Sequence, residues 1–381
     1  MRSVGMIAEF NPLHQGHVYA LEQARTRASA DAVVVVMAGN YVQRGEPAIL
    51  DKWARTQLAL AAGADLVVEL PLTAAIQSAR EFAQGGVQQL ASLGVDVLAF
   101  GTELPDLDYC GLASRQLDEE RYGDNQRFTD YTQTYASQLA EFYAQAGAGK
   151  ITAPNAMLGL AYAQAGLTLA PDMALLPLQR RGAAHDATTG SAGYSSGSAI
   201  RHALQRGDRI TGVPDYTARM LTKAPHFDWT VLWPMLQYRL QTASLDELKQ
   251  IDQMSEGLEY RLRGAASAPD FTHFLSAVKS KRYTYARLRR LSLNVVLNLR
   301  AAEVLDARWR PVTHVLGFNA TGRELLHEIK KSARLPIVTR VSQDMIKDGG
   351  PLALAQRADN LIEMLGGTRQ NYGRRPLMEE N

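Results

Sequence analysis

The feature that most constrains this fold is the alternation of unbroken apolar runs with helical patterns over the first hundred residues. Residues 4–9, 32–37, 65–69 and 95–100 read as strands, and residues 16–28, 52–62 and 79–93 as helices. The run Ala-Val-Val-Val-Val-Met at 32–37 has no polar side, so both of its faces must be covered. Strands of this kind separated by helices predict an α/β fold: a Rossmann-like parallel sheet with helices on both faces. Such sheets bind ligands beyond the carboxyl ends of their strands.

The first of these ends carries the sequence Gly-Met-Ile-Ala-Glu-Phe-Asn-Pro-Leu-His-Gln-Gly-His at 5–17. A strand closes in an Asn-Pro turn, and two histidines flanking Gly16 open a helix. A helix N-terminus offers unpaired N–H groups and partial positive charge, which suits a phosphate. Gly16 lets the backbone approach it, and each imidazole can donate a hydrogen bond. Residues 39–40 and 101–103 follow later strands at the same expected edge. A second candidate anion cradle is Tyr194-Ser195-Ser196-Gly197-Ser198-Ala199-Ile200-Arg201, with hydroxyls ahead of a helix ending near Gln205 and an arginine one turn in.

The other bounds are broad. At 381 residues the chain can hold two or three domains, and 46% hydrophobic with 21% charged residues is ordinary for a globular protein. We expect a catalytic domain over 1–206, a helical region over 207–310 and a small C-terminal α/β lobe over 311–381. Net charge is only +2, so any nucleic-acid surface must be local. The single cysteine, Cys110, excludes an internal disulfide and any cysteine metal cluster; it is expected as a small buried hydrophobe. No apolar run approaches membrane length, and the first residues enter a strand without a signal-peptide pattern, so a cytoplasmic enzyme is expected. Residues 107–146 are helical and polar with no assignable chemistry. Residues 182–197 are rich in Gly, Ser, Thr and Ala, as in a linker or a ligand-ordered loop.

Residues 279–290 hold six cations and two tyrosines and no acid. As a helix this segment would point Leu288, Leu291 and Val295 to the core and spread Lys279, Arg282, Arg287 and Arg290 over the exposed side. Arginines suit phosphates and aromatics suit unstacked bases, so Lys279, Lys281, Arg282, Tyr283, Arg287, Arg289 and Arg290 are candidate RNA-binding residues.

The His14-x-Gly16-His17 pattern resembles the signature of the nucleotidyltransferase superfamily. The 195–201 segment resembles that superfamily's second motif, with Gly197 interrupting the usual Ser-Ser-Thr order and Ser198 in place of threonine. Together with residues 9–17, 101–103, Pro154-Asn155, Gln179-Arg180 and Lys279-Ser280-Lys281-Arg282-Tyr283-Thr284-Tyr285, the chain resembles the bacterial tRNA(Met) cytidine acetate ligases. Leu13 stands where phenylalanine is usual. The resemblance implies an ATP-dependent ligase that makes acetyl-adenylate from acetate, releases pyrophosphate and acetylates the wobble cytidine of elongator tRNA(Met). It implies ATP contacts by Ile7, Ala8, Glu9, Phe10, Asn11, Pro12, Leu13, His14, Gln15, Gly16, His17, Val18, Tyr19, Ala20, Gly101, Asn155 and Arg180. Ser195, Ser196, Ser198 and Arg201 would serve the leaving pyrophosphate. His14, His17 and Arg201 are the candidate catalytic residues. Mg²⁺ is expected with the ATP, without a dedicated carboxylate cage. The rival readings are a small-molecule adenylyltransferase with no RNA substrate and a non-catalytic RNA-binding protein.

Overall fold

A computed structural model describes residues 1–123, 135–181, 193–255 and 257–379. The central sheet contains β1 (Ser3–Ala8), β2 (Ala32–Ala38), β5 (Leu66–Leu70), β6 (Val97–Thr102), β7 (Ala174–Gln179), β8 (Thr313–Phe318), β9 (Ile337–Val338) and β10 (Leu377–Met378), while β3 (Tyr41–Val42) and β4 (Glu46–Pro47) form a separate hairpin. The order is β10-β8-β5-β2-β1-β6-β7, with β9 beside β8. β1 pairs in parallel with β2 on one side and β6 on the other. The chain winds outward from β1 in both directions, so the topological switch lies between β1 and β6, where a nucleotide site is expected.

Both faces of β2 are buried, as its sequence requires. Val34 and Val36 pack with Phe82, Val87 and Leu160 on one side. Val33, Val35 and Met37 pack with Leu21, Trp53 and Leu58 on the other. Fully covered parallel strands thus carry an apolar residue at every position.

The helices from Asp215–Lys223 to Ala301–Arg308 form the helical region. Most of it has its own core, including Trp233, Leu236, Phe274, Leu288 and Leu291, into which Tyr41 and Ile76 reach from the sheet domain. The described residues of the lobe expected over 311–381 are α/β in content, but their strands extend the central sheet instead of forming one of their own. β8 runs antiparallel to β5, pairing Val68 with Val315 and Leu66 with Phe318. The physical reason is the route of the chain: it returns from the helical region at the carboxyl edge of the sheet and therefore descends beside β5. Val315 and Leu316 are fully buried there, so an otherwise open apolar edge is covered. Among the described residues no helix is long and apolar enough to cross a membrane. Cys110, expected in the core, is exposed because it lies on the outer side of the helix Tyr109–Tyr122. Residues 124–134 of the 107–146 stretch and 182–192 of the small-residue stretch lie outside the described residues.

Candidate active site

Beyond β1 the chain turns at Phe10, which has φ +47°, and crosses a cis Asn11–Pro12 bond. Phe10 and Leu13 are 1% and 0% exposed, and Asn11 Oδ1 accepts the Ile49 N–H at 2.8 Å. The side chains of this turn therefore fix the shape of the loop. His14 then caps the helix Gln15–Ala28. Its backbone N–H donates to His17 Nδ1 at 3.3 Å, and the two rings stack with centroids 3.7 Å apart. An accepting Nδ1 leaves the proton of a neutral His17 on Nε2, as a hydrogen-bond donor. Burial, reinforced by His14 and Arg180, holds the His17 pKa well below its ordinary value. A Cβ at Gly16 would come within 3.0 Å of His14 Cε1, so the imidazole occupies the space a side chain would need.

The second motif docks directly on this turn. Ser196 caps the helix Gly197–Arg206, its side chain accepting the Ala199 N–H at 3.1 Å. A Cβ on Gly197 would lie 2.8 Å from the Asn11 carbonyl oxygen, so the glycine that interrupts the motif permits close approach. Arg201 Nη1 donates to that carbonyl at 2.7 Å, and Nη2 pairs with Glu46 Oε1 at 2.9 Å. Ser198 Oγ is 3.5 Å from Arg201 Nη2, and Ser195 Oγ is 3.4 Å from Thr211 Oγ1. Gln15 N–H donates to the Gly212 carbonyl at 2.9 Å, tying the first motif to the segment after the second.

The edge beyond β6 completes the site. A Cβ on Gly101 would sit 3.2 Å from Arg180 Cγ, so the glycine makes room for that arginine. Burial lowers the Arg180 pKa while Glu103 opposes the fall, and Arg180 acts electrostatically on His17. Asn155 Nδ2 donates to Glu103 Oε1 at 2.5 Å. The Arg181 guanidinium lies over Tyr19 at 4.5 Å. Ile7, Ala8, Val18 and Ala20 are half-buried along β1 and the first helix. Glu9 Oε1 accepts the Gln43 N–H at 2.7 Å, and burial raises the carboxyl pKa, with Gln43 and Arg44 working against it.

Three supporting groups escaped the sequence reading. Arg55 is fully buried and donates to the carbonyls of Leu50 (3.0 Å), Glu9 (2.7 Å), Ala38 (2.9 Å) and Gly39, tying together the ends of β1 and β2. Lys52, also fully buried, donates to both oxygens of Glu69 at 2.9 Å and to Asp359 Oδ2 and Asn371 Oδ1 at 2.8 Å. Glu46 holds Arg201. The available signal was two cations three residues apart in an otherwise apolar helix pattern.

The basic segment divides. Lys279–Thr284 precedes the helix Tyr285–Val296, and Leu288, Leu291 and Val295 face the core as expected. Lys281 and Arg282 are exposed, and Lys279, Arg287 and Arg289 are half-buried. Arg290 and Tyr283 depart from the expectation. Arg290 is 8% exposed and donates to the Gln43 carbonyl at 3.2 Å, because the β3–β4 hairpin packs over it. Tyr283 is 7% exposed, lies under Arg287 and shares a 3.1 Å hydrogen bond with Ser255, so its ring is not free to stack on a base. Tyr285, 47% exposed, is the accessible aromatic.

The chain matches the family model described as HIGH Nucleotidyl Transferase over residues 1–375. It is 45% identical over 383 residues to the tRNA(Met) cytidine acetate ligase of Latilactobacillus sakei, covering 99% of this chain and 97% of the relative. The relative of the same name from Lactobacillus acidophilus is 44% identical over 384 residues, covering 99% of this chain and all of the relative. The chain belongs to the tRNA(Met) cytidine acetate ligase family. Its fold is similar over the full length of both chains to Thermotoga maritima TmcAL in its apo form (TM-score 0.88, 27% identity). The same protein bound to alpha-thio ATP gives a TM-score of 0.86 at 26% identity, again over both full chains. In this family setting the stacked histidines, the helix N-termini and two arginines converge at one sheet edge. That is a set of donors suited to a triphosphate.

Proposed function

We propose that this chain is an ATP-dependent acetate ligase acting on the wobble cytidine of elongator tRNA(Met). The observation that carries the reading is the docking of Arg201 on the turn that presents His14 and His17, in a chain with full-length relatives of that name. An acetate oxygen attacks the α-phosphorus, the bond to pyrophosphate breaks, and acetyl-adenylate forms. The cytidine exocyclic amine then attacks the acetyl carbonyl, AMP leaves, and the amine gives up a proton to yield N4-acetylcytidine. Charge grows on the α-phosphate oxygens and on the departing pyrophosphate in the first step. Donors already fixed in place are the main resource for stabilising it. His14 and His17 Nε2–H serve the α- and β-phosphates in this reading. Arg201 with Ser195, Ser196 and Ser198 serves the leaving group, and Arg180, Gly101 and Asn155 line the adenosine side. Lys281, Arg282 and Arg289, with Tyr285, provide the RNA face.

Among the described residues no group of three His, Cys, Asp or Glu could hold a metal ion. Mg²⁺ would therefore be carried by the triphosphate, whose charge it would screen. The rival small-molecule adenylyltransferase leaves the basic residues at 281, 282 and 289 without a role. The deciding experiment is nucleoside mass spectrometry after incubation with tRNA, ATP and isotopically labelled acetate. Labelled N4-acetylcytidine is expected, strictly dependent on ATP. ATP turnover to pyrophosphate with no label in the RNA would move the assignment to the rival.

A further inference from the structure

A second cavity, of about 460 Å³, opens at the carboxyl edge of the sheet beyond β5 and β8. β2 separates β5 from β1, so two strand spacings, roughly 10 Å, set this cavity apart from the phosphate site. Its volume falls in the range of small-ligand sites. Glu69 and His314 line its inner side, and Gln84 and Gln88 line it from one face of the helix Ala79–Ser92. Arg308 and Trp309 lie at the end of the helix Ala301–Arg308 and line the other wall.

Two features indicate what this cavity takes. Trp309 is 81% exposed, whereas Trp53, Trp229 and Trp233 are 3%, 8% and 6% exposed. An indole left in water beside a cavity is a ready stacking platform for a planar ring. The inner side is polar and rigid. His314 Nδ1 lies 2.7 Å from Glu69 Oε2, and Glu69 is itself held by Lys52. Glu69 accepts from the Nδ1–H, so the ring is held in one orientation and Nε2 is its remaining polar atom. An imidazole nitrogen and two carboxamides, which both donate and accept, match the hydrogen-bonding edge of a base better than an apolar side chain. Arg308 forms no ion pair among the described residues and can meet a phosphate at the mouth.

We propose that this cavity binds an unstacked nucleobase, with Trp309 stacking on its face, His314, Gln84 and Gln88 reading its edge, and Arg308 at its phosphate. The base belongs either to the RNA substrate or to a free nucleotide. The RNA source rests on the function proposed above.

Trp309 is itself the probe, because the other three tryptophans are shielded from an aqueous quencher. Iodide quenching of intrinsic fluorescence is measured on the full chain with CMP, with AMP, with a single-stranded RNA heptamer and with tRNA. Filter binding of the tRNA is run on the same samples. Protection of Trp309 by RNA or by a nucleotide is expected. Arg308→Glu and Gln88→Ala, both at accessible positions, should weaken that protection by about tenfold, the scale of one base contact. Ala355→Phe, which fills the cavity from a half-buried wall, should abolish it. Protection by RNA alone assigns the base to the substrate, and protection by CMP or AMP alone assigns it to a free nucleotide. tRNA that binds the filter while Trp309 stays fully quenchable, together with no effect of CMP or AMP, overturns the pocket but not the proposed function. Failure of tRNA to bind at all overturns the RNA reading, and the nucleotide arms then decide the pocket by themselves.

Discussion

His17 enters the site neutral, with one proton on the nitrogen that is free to meet a phosphate. Removing such a donor from a centre of developing charge costs on the order of a hundredfold in rate. His17→Ala should therefore lose acetyl-adenylate formation by about that factor, read as ATP–pyrophosphate exchange, and near wild-type exchange would remove His17 from the catalytic set. The same burial has a stability consequence. The folded-state pKa is depressed, so below the unfolded value near 6.5 the unfolded chain takes up the proton first. His17 costs the fold nothing above that pH, and the fold loses stability as pH falls below it. The urea midpoint should thus fall less in His17→Ala than in wild type between roughly pH 7 and pH 5. In the proposed reading Arg201 has two duties, since besides meeting the leaving group it donates to the Asn11 carbonyl. Arg201→Ala should raise the ATP KM for exchange while leaving tRNA affinity in filter binding unchanged. An equal loss of tRNA binding would place the guanidinium on the RNA surface. That His14, His17 and Arg201 sit at helix starts was legible in the sequence, because a helix start and a spacing of three residues are local facts. The burial of Arg290 and Tyr283 was not, because it depends on a hairpin nearly 250 residues away and on Ser255.

The β3–β4 hairpin is the smallest element with the widest reach. Its Gln43 N–H holds Glu9, its Glu46 holds Arg201, and the Gln43 carbonyl accepts from Arg290. Trp229 Nε1 donates to the Gly45 carbonyl at 2.9 Å, pinning the tip to the helical region. Gly45 has φ +77°, and a Cβ there would collide with the backbone of Arg289 and Arg290. Gly45→Ala combines a strained backbone with a clash, and it should destabilise the protein by about 1–3 kcal/mol, seen as a lowered Tm. An unchanged Tm would mean that the hairpin is not held against the helix in solution. The long elements around it were readable from sequence, since fourteen-residue helices and unbroken valine runs carry their own period. Two-residue strands carry none. Helix Lys52–Ala61 shows a related gap: its apolar pattern was plain, but the buried partners of Lys52 come from Glu69 and, some three hundred residues away, Asp359. Lys52→Met would leave Asp359 buried without its cation and Glu69 with His314 alone, so a loss of about 3–5 kcal/mol is expected in urea unfolding.

At the scale of the whole molecule, the helical region sits at the carboxyl edge of the sheet, the edge that holds the phosphate motifs. The antiparallel entry of β8 follows from that placement, and no local pattern could announce it, because strand direction is decided by where the intervening helices leave the chain. Net charge of +2 gives no global field toward RNA, so affinity has to come from a few local cations. Burial sorts them: Arg290 is structural, while Lys281 and Arg282 are exposed and Arg289 is half-buried beside them. Replacing these three by alanine removes phosphate contacts without touching the residues around His14 and Arg201. Each lost phosphate contact removes roughly one released counterion, so tRNA affinity should fall and its dependence on salt should become shallower by about three in log–log slope. Acetyl-adenylate formation in the absence of tRNA should survive at its wild-type rate. The two measurements, filter binding across a salt series and ATP–pyrophosphate exchange, separate the half-reactions on one preparation. If affinity and slope both stay unchanged, the side chains at 281, 282 and 289 are a solvated surface and the proposed RNA face is wrong.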